Sequence, residues 1–310
     1  MNQPSLSIVI PTFKRGSILR ECLTRIGRQT AKDAIEVIVV SDGEMDKETA
    51  LLAKGSFQFP TAFFSIPKSQ QGTARNFGVA RAKGEVTLFL GDDMFLEPDA
   101  CEVHLRRLAA PTPSPSPLRG EGSTPLSPGT GERGWGDRGL IAVLGHITWD
   151  PTVGITPTMR WLEESGWQFG YPLIEKYAHG FVPTNIQHRF TYTGNISVPT
   201  AIARKFPFKE EISLYGWEDV EWGMRLKEAG VPLFYEPDAK ALHHHTMTLE
   251  KSLRRMETLG KSAVIFEKMK PELNIVPKGW KRLAYQIAAL FPNMSGMHRK
   301  AFLDGISSTC

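Results

Sequence analysis

The sequence predicts an α/β fold, in which a doubly wound, mainly parallel sheet is flanked by helices and followed by a helical C-terminal extension. The first observation is that apolar runs of strand length alternate with segments of helical periodicity between residues 6 and 108. The second is the run 86–90, which is almost entirely apolar, as in a strand buried on both faces. It ends in Gly91-Asp92-Asp93, at the position where open α/β sheets bind ligands.

Each element follows from the local sequence. The first strand, 6–10, closes at a proline, and the second, 35–40, ends in Ser41-Asp42-Gly43. A helix is expected to begin at Pro98, because proline suits the first turn of a helix. The remaining predicted strands are 61–66, 140–147, 192–198 and 231–235. The remaining predicted helices are 18–26, 73–83, 217–229, 249–269 and 279–291.

The chain is predicted to consist of a catalytic domain, residues 1–250, and a basic helical extension, residues 251–310. Residues 111–139 interrupt the first domain. They are rich in Pro, Ser and Gly and hold too few apolar side chains to offset the entropy of ordering, so we expect a disordered insertion. Eleven basic and four acidic side chains follow residue 250, a net charge of +7 in a chain whose total is +4.

The composition limits the cellular compartments and the kinds of partner that are expected. A strand begins almost at the N-terminus, which leaves no room for a signal peptide. No run of about 18 apolar residues could form a membrane-spanning helix. Cys22, Cys101 and Cys310 are odd in number and lack metal-like spacing, which is typical of a reducing cytoplasm. We expect a cytoplasmic protein with no nucleic-acid partner.

Polar loops follow four predicted strands and should gather along one edge of the sheet. Arg15 supplies a cation, Asp42 can accept from a base or ribose hydroxyl, and Arg75 opens a helix whose amides favour phosphate. Further along, Glu218 and Asp219 open another helix; one of them could serve as the general base. His243-His244-His245 follow a strand, so that one imidazole could bind a metal.

Six motifs in order resemble the GT-A glycosyltransferases of family 2, over roughly residues 6–255. The motifs are Ser7–Arg15, Val39–Gly43, Gly72–Gly78, Phe89–Asp93, Thr193–Ser197 and Gly216–Leu226, followed by His243. This resemblance implies a GT-A type, Rossmann-like fold, a nucleotide-diphospho-sugar donor, a divalent metal ion and inversion at the anomeric carbon. Gly91 and Ser41 depart from the family pattern, which often has aspartate at both positions.

The resemblance also implies roles for individual residues. Asp219 would be the general base, and Glu218 would bind the acceptor or be the alternative base. Asp93 would bind the metal together with an imidazole, first His243, with His245 as a second candidate. Asn195 would face the sugar or the acceptor. The residues that would hold or adjoin the nucleotide are Pro11, Thr12, Arg15, Asp42, Arg75 and Asp92.

The implied cofactor is Mn²⁺ or Mg²⁺, because a hard cation neutralises the charge that develops on a nucleoside-diphosphate leaving group. A carboxylate with one imidazole suits Mn²⁺ somewhat better. We expect a UDP-sugar first, with GDP- and dTDP-sugars as alternatives. The acceptor would be a glycan or a lipid-linked molecule of cell-envelope or polysaccharide synthesis. The basic C-terminal helices would then contact a membrane peripherally.

Three other functions were compared with this interpretation. A sugar nucleotidyltransferase needs a glycine-rich loop after its first strand, and Pro11–Gly16 lacks that glycine run. A nicotinamide dehydrogenase needs the G-x-G-x-x-G pattern, which is absent there as well. A nucleotide-sugar-binding protein without transfer activity remains an alternative, because Gly91 and Ser41 replace expected acids.

Overall fold

The computed structural model describes residues 3–110, 140–212 and 216–309. The chain divides into two compact units. The first unit comprises Met1–Thr148, Leu173–Glu210 and Asp219–His244, and the second comprises Trp149–Pro172, Glu211–Glu218 and His245–Cys310. The predicted disordered insertion, 111–139, lies outside the described residues. Within the described ranges, no helix is both long and apolar enough to cross a membrane.

The sheet of the first unit combines a parallel half with an antiparallel half. The strands are β1 Leu6–Thr12, β2 Ile35–Asp42, β3 Thr61–Ile66, β4 Val86–Leu90, β5 Met94–Leu96, β6 Ala142–Trp149, β7 Gly180–Phe181, β8 Asn195–Pro199 and β9 Leu233–His243. Their order is β3-β2-β1-β4-β8-β6-β9-β5, and β7 pairs with β9. The neighbours from β3 to β4 run parallel, whereas β8 pairs antiparallel with β4. The predicted α/β class is confirmed.

Helices alternate with the parallel strands and continue through the second unit. They are α1 Gly16–Ile26, α2 Lys47–Leu52, α3 Gln71–Val79, α4 Ala100–Ala109, α5 Pro157–Glu164, α6 Tyr171–Ile174, α7 Thr200–Lys205, α8 Glu218–Glu228, α9 Leu249–Met269, α10 Gly279–Ala289 and α11 Met294–Ser307. Some of these helices begin after an N-cap residue whose side chain accepts hydrogen bonds from amides of the first turn. Asp46 accepts from the amides of Glu48 and Thr49 at the start of α2, and Asn293 accepts from Gly296 at the start of α11.

The core of the first unit lies along β1 and β4, whose residues are all buried. Gly78 lets α3 approach β1 closely, because a Cβ at this position would overlap Val9. Further along, the ring of Phe89 meets Trp222 edge-on at 5.5 Å, and Phe208 stacks on the same indole at 5.1 Å. These contacts pack α8 against the strand that leads into the acidic pair.

Some elements differ from their predicted bounds. The helix predicted over 73–83 ends at Val79, and the strand predicted over 231–235 continues to His243. Seven of the described strands and α-helices were not predicted. They are the strands β5 and β7 and the helices α2, α5, α6, α7 and α11. β5 is short enough to be recognised only from its pairing with β9, which aligns Met94 with His243.

The second unit has an apolar cluster of its own. It is formed by Trp149, Met159, Leu162 and Met247, with Trp161 and Trp167 packed against it. In the same unit, the backbones of α9 and α11 approach closely where both helices carry glycine. A Cβ at Gly260 would overlap the carbonyl of Phe302, and one at Gly305 would overlap that of Glu257.

Candidate active site

The acidic pair Asp92–Asp93 lies directly after β4, and both side chains are buried. The Thr12 hydroxyl, at the end of β1, donates to Oδ2 of Asp92 at 2.7 Å. Arg15, just before α1, forms an ion pair with Asp92, with Nη1 2.9 Å from Oδ1, and donates a hydrogen bond from Nη2 to Oδ2 of Asp93 at 2.7 Å. One guanidinium therefore bridges the two carboxylates. The parallel pairing of β1 with β4 brings these residues together, as the sequence predicted.

The two carboxyl groups titrate differently because their surroundings differ. Burial, together with the charge of Asp93, raises the pKa of Asp92 to about 6. Burial alone would also raise the pKa of Asp93, but His243 and Arg15 outweigh it and hold that pKa well below its usual value. Asp93 is thus the carboxylate that stays ionised, as expected of a metal ligand.

His243 is the last residue of β9 and lies beside Asp93. Its Nε2 is 3.4 Å from Oδ2 of Asp93, the same oxygen that Arg15 contacts. The ring of His244 stacks instead on Phe95, with centroids 4.7 Å apart, and its amide donates to the carbonyl of Asp93. Of these two imidazoles, His243 therefore faces the acidic pair. His245 is the first residue of the second unit and stays a prediction from the sequence.

The structure gives a steric reason for glycine at position 91. A Cβ at this position would lie 3.1 Å from Oδ1 of Asp93 and 3.1 Å from Cγ of Met94. Any larger side chain would therefore crowd the carboxylate of Asp93. The glycine, which departs from the pattern of the family that the motifs resemble, is compatible with a working acidic pair.

Asp42 ends β2 and organises the loop that follows β3. One of its oxygens accepts from the amide and hydroxyl of Ser69, and the other accepts from Nζ of Lys68 at 2.5 Å. These partners outweigh burial and lower the pKa of Asp42. The Lys68 ammonium also lies 3.9 Å from the ring centroid of Phe13, a partly exposed aromatic side chain. A ligand that hydrogen-bonds to the Asp42 carboxylate must therefore share it with Lys68 and Ser69 of this loop.

Arg75 is a buried cation with unused hydrogen-bonding capacity. It lies in α3, and Nη2 donates to Oε1 of Gln71 at 2.9 Å. Its Nε and Nη1 have no hydrogen-bond partner among the described residues. Nη1 is 4.0 Å from Oδ1 of Asp219, which is too long for a hydrogen bond. A buried guanidinium in this state is ready to accept an anionic group.

Asp219 is held in place by the loop before β8. The hydroxyl of Thr193 donates to its Oδ1 at 2.7 Å, and the amide of Thr193 donates to Oδ2 at 3.2 Å. The next residue, Gly194, accepts a hydrogen bond from the amide of Gly91 at 3.3 Å. One backbone bond therefore connects the turn that anchors Asp219 to the turn that carries the acidic pair.

Asn195 requires a correction. It was expected to face the sugar or the acceptor, but its side chain is fully buried. Its Oδ1 contacts Nε2 of His104 at 3.0 Å, and its Nδ2 donates to the carbonyls of Ala239 and, more weakly, His146. Every polar atom of the carboxamide is therefore engaged inside the protein. Burial lowers the pKa of His104 to about 4, so this network is neutral and structural.

The remaining predicted residues fall at element ends. Pro11 is the penultimate residue of β1, where its missing amide leaves only a carbonyl to offer. Glu218 begins α8 but belongs to the second unit, where its carboxylate accepts from the amide of Gly216. Sequence reasoning gave no role to Thr193 or Lys68. Thr193 lies within a quoted motif, and Lys68 follows a predicted strand, so both positions carried a signal.

Asp93 and His243 are suitable ligands for a divalent cation. A carboxylate oxygen and an imidazole nitrogen of Asp93 and His243 face the same point, and both residues belong to a group of side chains able to hold a metal ion. In the described structure, Arg15 supplies the positive charge at that point. The donor set is therefore suitable, and a metal ion would have to compete with the guanidinium.

The first part of the chain matches a known family. Residues 7–135 match the model described as Glycosyl transferase family 2. A validoxylamine A glucosyltransferase from Streptomyces hygroscopicus subsp. jinggangensis is 26% identical over 241 residues, which cover 74% of this chain and 53% of that protein. The chain spans about half the length of this relative and about a third of the length of others. The resemblance to family 2 glycosyltransferases that the sequence motifs predicted is thus confirmed over residues 7–135.

Solved structures confirm the GT-A fold. A mannosyltransferase from Pyrobaculum calidifontis, in complex with GDP-Man and Mn²⁺, covers 100% of this chain and 77% of its own, with a TM-score of 0.57 and 14% identity. TarS from S. aureus, in complex with UDP, covers 84% of this chain and 65% of its own, with a TM-score of 0.52 and 15% identity. At such identities, the likeness concerns the fold alone.

The position of Arg15 generates a prediction about metal binding. We expect Arg15→Gln to bind Mn²⁺ about tenfold more tightly or better, because a positive charge next to the ion is removed. The measurement is a titration in which the electron paramagnetic resonance signal reports free Mn²⁺. Asp93→Ala should lose the binding.

The matched control for this prediction is Arg20→Gln, because Arg20 lies in α1, the helix that begins directly after Arg15, and pairs with the partly exposed Glu48. Its Mn²⁺ affinity should equal that of the wild type. Weaker or unchanged binding in Arg15→Gln would show that the guanidinium does not compete with the ion.

Proposed function

We propose that the protein transfers a sugar from a nucleotide-diphospho-sugar to an acceptor hydroxyl, with inversion at the anomeric carbon. The observation that carries this proposal is the hydrogen bond between Gly91 and Gly194, which connects the acidic pair to the turn anchoring Asp219. A donor whose diphosphate lies at the acidic pair would present its anomeric carbon towards a carboxylate held ready to accept a proton.

The reaction is a single displacement. The acceptor oxygen forms a bond to the anomeric carbon while the bond from that carbon to the donor phosphate oxygen breaks. Asp219 takes the proton from the acceptor hydroxyl, and the nucleoside diphosphate leaves with the bonding electron pair. One carboxylate suffices for this chemistry, in contrast to glycoside hydrolysis, which uses two across the bond. Hydrogen bonds from Thr193 keep Asp219 in position.

Two positive groups would stabilise the charge on the leaving diphosphate. Arg75 is buried, and two of its guanidinium nitrogens, Nε and Nη1, have no hydrogen-bond partner among the described residues; a guanidinium–phosphate interaction is strong in such a setting. A divalent ion held by Asp93 and His243 would neutralise further charge when bound. Mn²⁺ is the ion we expect first, and the Mn²⁺ in the mannosyltransferase of the same fold supports this choice. The contribution of His245 remains a prediction from the sequence.

The donor, acceptor and location complete the proposal. A UDP-sugar is the donor that we expect first, and a GDP-sugar is the alternative, since solved proteins of this fold bind UDP and GDP-Man. The acceptor would be a glycan or lipid-linked molecule of envelope or polysaccharide synthesis, in the cytoplasm or at a membrane face. A thermal-shift panel of UDP-, GDP- and dTDP-sugars tests the donor, because a bound donor stabilises the fold by mass action.

The assignment of the base predicts a separation of turnover from binding. Asp219→Asn should lower the turnover number by about a hundredfold or more, because the variant cannot take the acceptor proton. Its donor affinity should stay within a few-fold of the wild type. The measurements are nucleoside-diphosphate release, with water or a glycan as acceptor, and donor affinity by calorimetry.

Glu218→Gln is the control for this experiment and should remain active. An inactive Glu218→Gln beside an active Asp219→Asn would reverse the two roles. If the wild type binds the donor but releases no nucleoside diphosphate with any acceptor tried, the chain is a binder without transfer activity.

The contact between Thr193 and Asp219 gives a separate prediction. Thr193→Val keeps the shape of the side chain but removes the hydroxyl donor. A hydrogen bond to a charged group contributes about 1.5–3 kcal/mol of stabilisation, which this variant loses. We expect turnover to fall about tenfold or more while donor affinity is unchanged, and Thr193→Ser to restore most of it.

Thr87→Val is the control for Thr193→Val, because the Thr87 hydroxyl is equally buried but binds Thr200. It should retain wild-type turnover. An equal fall in both variants, or no fall in Thr193→Val, would exclude a positioning role for Thr193.

A further inference from the structure

The helix α10 exposes an apolar surface of unusual extent. Five large apolar side chains, on α10 and in the two residues that follow it, are each more than half exposed. They are Trp280, Leu283, Ile287, Leu290 and Phe291. Their spacing of three, four, three and one places them on one side of a helix. An apolar stripe on a helix of a globular protein normally faces the core, and contiguous exposed patches mark interaction sites.

The packing of α10 within the second unit explains why this stripe faces outwards. Tyr285 lies on the opposite side of the helix. The guanidinium carbon of Arg299 in α11 is 5.5 Å from the centroid of the Tyr285 ring. Gly296, in the first turn of α11, approaches the carbonyls of Ala288 and Phe291 so closely that no side chain would fit. α10 is thereby held through its less apolar side. We name the outward set of five side chains the α10 stripe.

Basic side chains flank the α10 stripe in the sequence, and one of them, Lys278, pairs with Glu267 of α9 at 3.0 Å. Between Glu272 and Asp304 the sequence contains five basic residues and no acidic residue. They are Lys278, Lys281, Arg282, Arg299 and Lys300. Lys281 and Arg282, in the first turn of α10, are exposed. Trp280 lies beside them, and tryptophan is enriched where an apolar phase meets water.

We propose that the α10 stripe docks the protein on an anionic lipid surface, with α10 lying in the plane of the interface. An interfacial helix combines an apolar face with lysine and arginine on its flanks, and this combination is present here. The charge distribution favours this occupant over a second copy of the chain, because paired α10 helices would bring like charges together. The proposal does not depend on sugar transfer, since docking involves no catalytic residue.

Co-sedimentation of the full chain with vesicles tests the proposal. Wild type should bind vesicles of phosphatidylcholine mixed with phosphatidylglycerol, and should bind pure phosphatidylcholine much less. The variant Leu283→Glu/Ile287→Glu should lose binding at least about tenfold. The variant Lys281→Gln/Arg282→Gln should lose about fivefold per charge removed, and added salt should weaken the wild type similarly.

Leu51→Glu is the matched control, because Leu51 is an equally exposed leucine on α2 of the first unit. It should bind vesicles like the wild type, and all variants should melt at the wild-type temperature, since the substituted residues are exposed. Vesicle binding that is absent, indifferent to lipid charge or unchanged in Leu283→Glu/Ile287→Glu would overturn the proposal. So would a dimer in light scattering that dissociates in that variant while the wild type ignores vesicles.

Discussion

The burial of two adjacent carboxylates directly after β4 is the constraint on which the rest of the first unit depends. Desolvation penalises each charge, and the two charges repel each other. Three partners distant in sequence offset this cost: Thr12 at the end of β1, Arg15 before α1 and His243 at the end of β9. Both the parallel pairing of β1 with β4 and the antiparallel pairing of β5 with β9 must form before these partners can meet. The acidic pair therefore couples the two halves of the sheet.

The strand β8 extends this coupling to the candidate base. Asn195 at its start is saturated by His104 and two backbone carbonyls, and Ser197 binds the other nitrogen of the same imidazole. This buried network holds the start of β8 in place, so Thr193, two residues before Asn195, can orient Asp219. Asn195, which was expected to touch substrate, thus binds inside the protein, and Thr193, two residues earlier, contacts the candidate base. Precise placement of a catalytic carboxylate requires this kind of support.

Local sequence patterns were enough to predict the strands of the parallel half of the sheet. Strands such as 61–66 and 86–90 have the predicted bounds, because a short run rich in apolar residues can be recognised without its pairing partner. The edge that holds Thr12, Asp42 and Asp92 follows from strand direction alone. The antiparallel half was harder to predict, since β5 has only three residues and β9 continues through Pro237. Likewise, the burial of Asn195 depends on His104 and Ala239, which no local pattern connects to it.

The C-terminal helices show a second limit of periodicity. An amphipathic helix has the same pattern whether its apolar side is packed or exposed. α9 buries Ala263 and Phe266, and Gly260 allows the backbone of α11 to come close. α10 turns its apolar side outwards, because Gly296 and Arg299 of α11 engage its other side. α11 itself was not predicted, since it has no clear apolar stripe. A helix that periodicity does not reveal therefore determines which side of its amphipathic neighbour meets the surroundings.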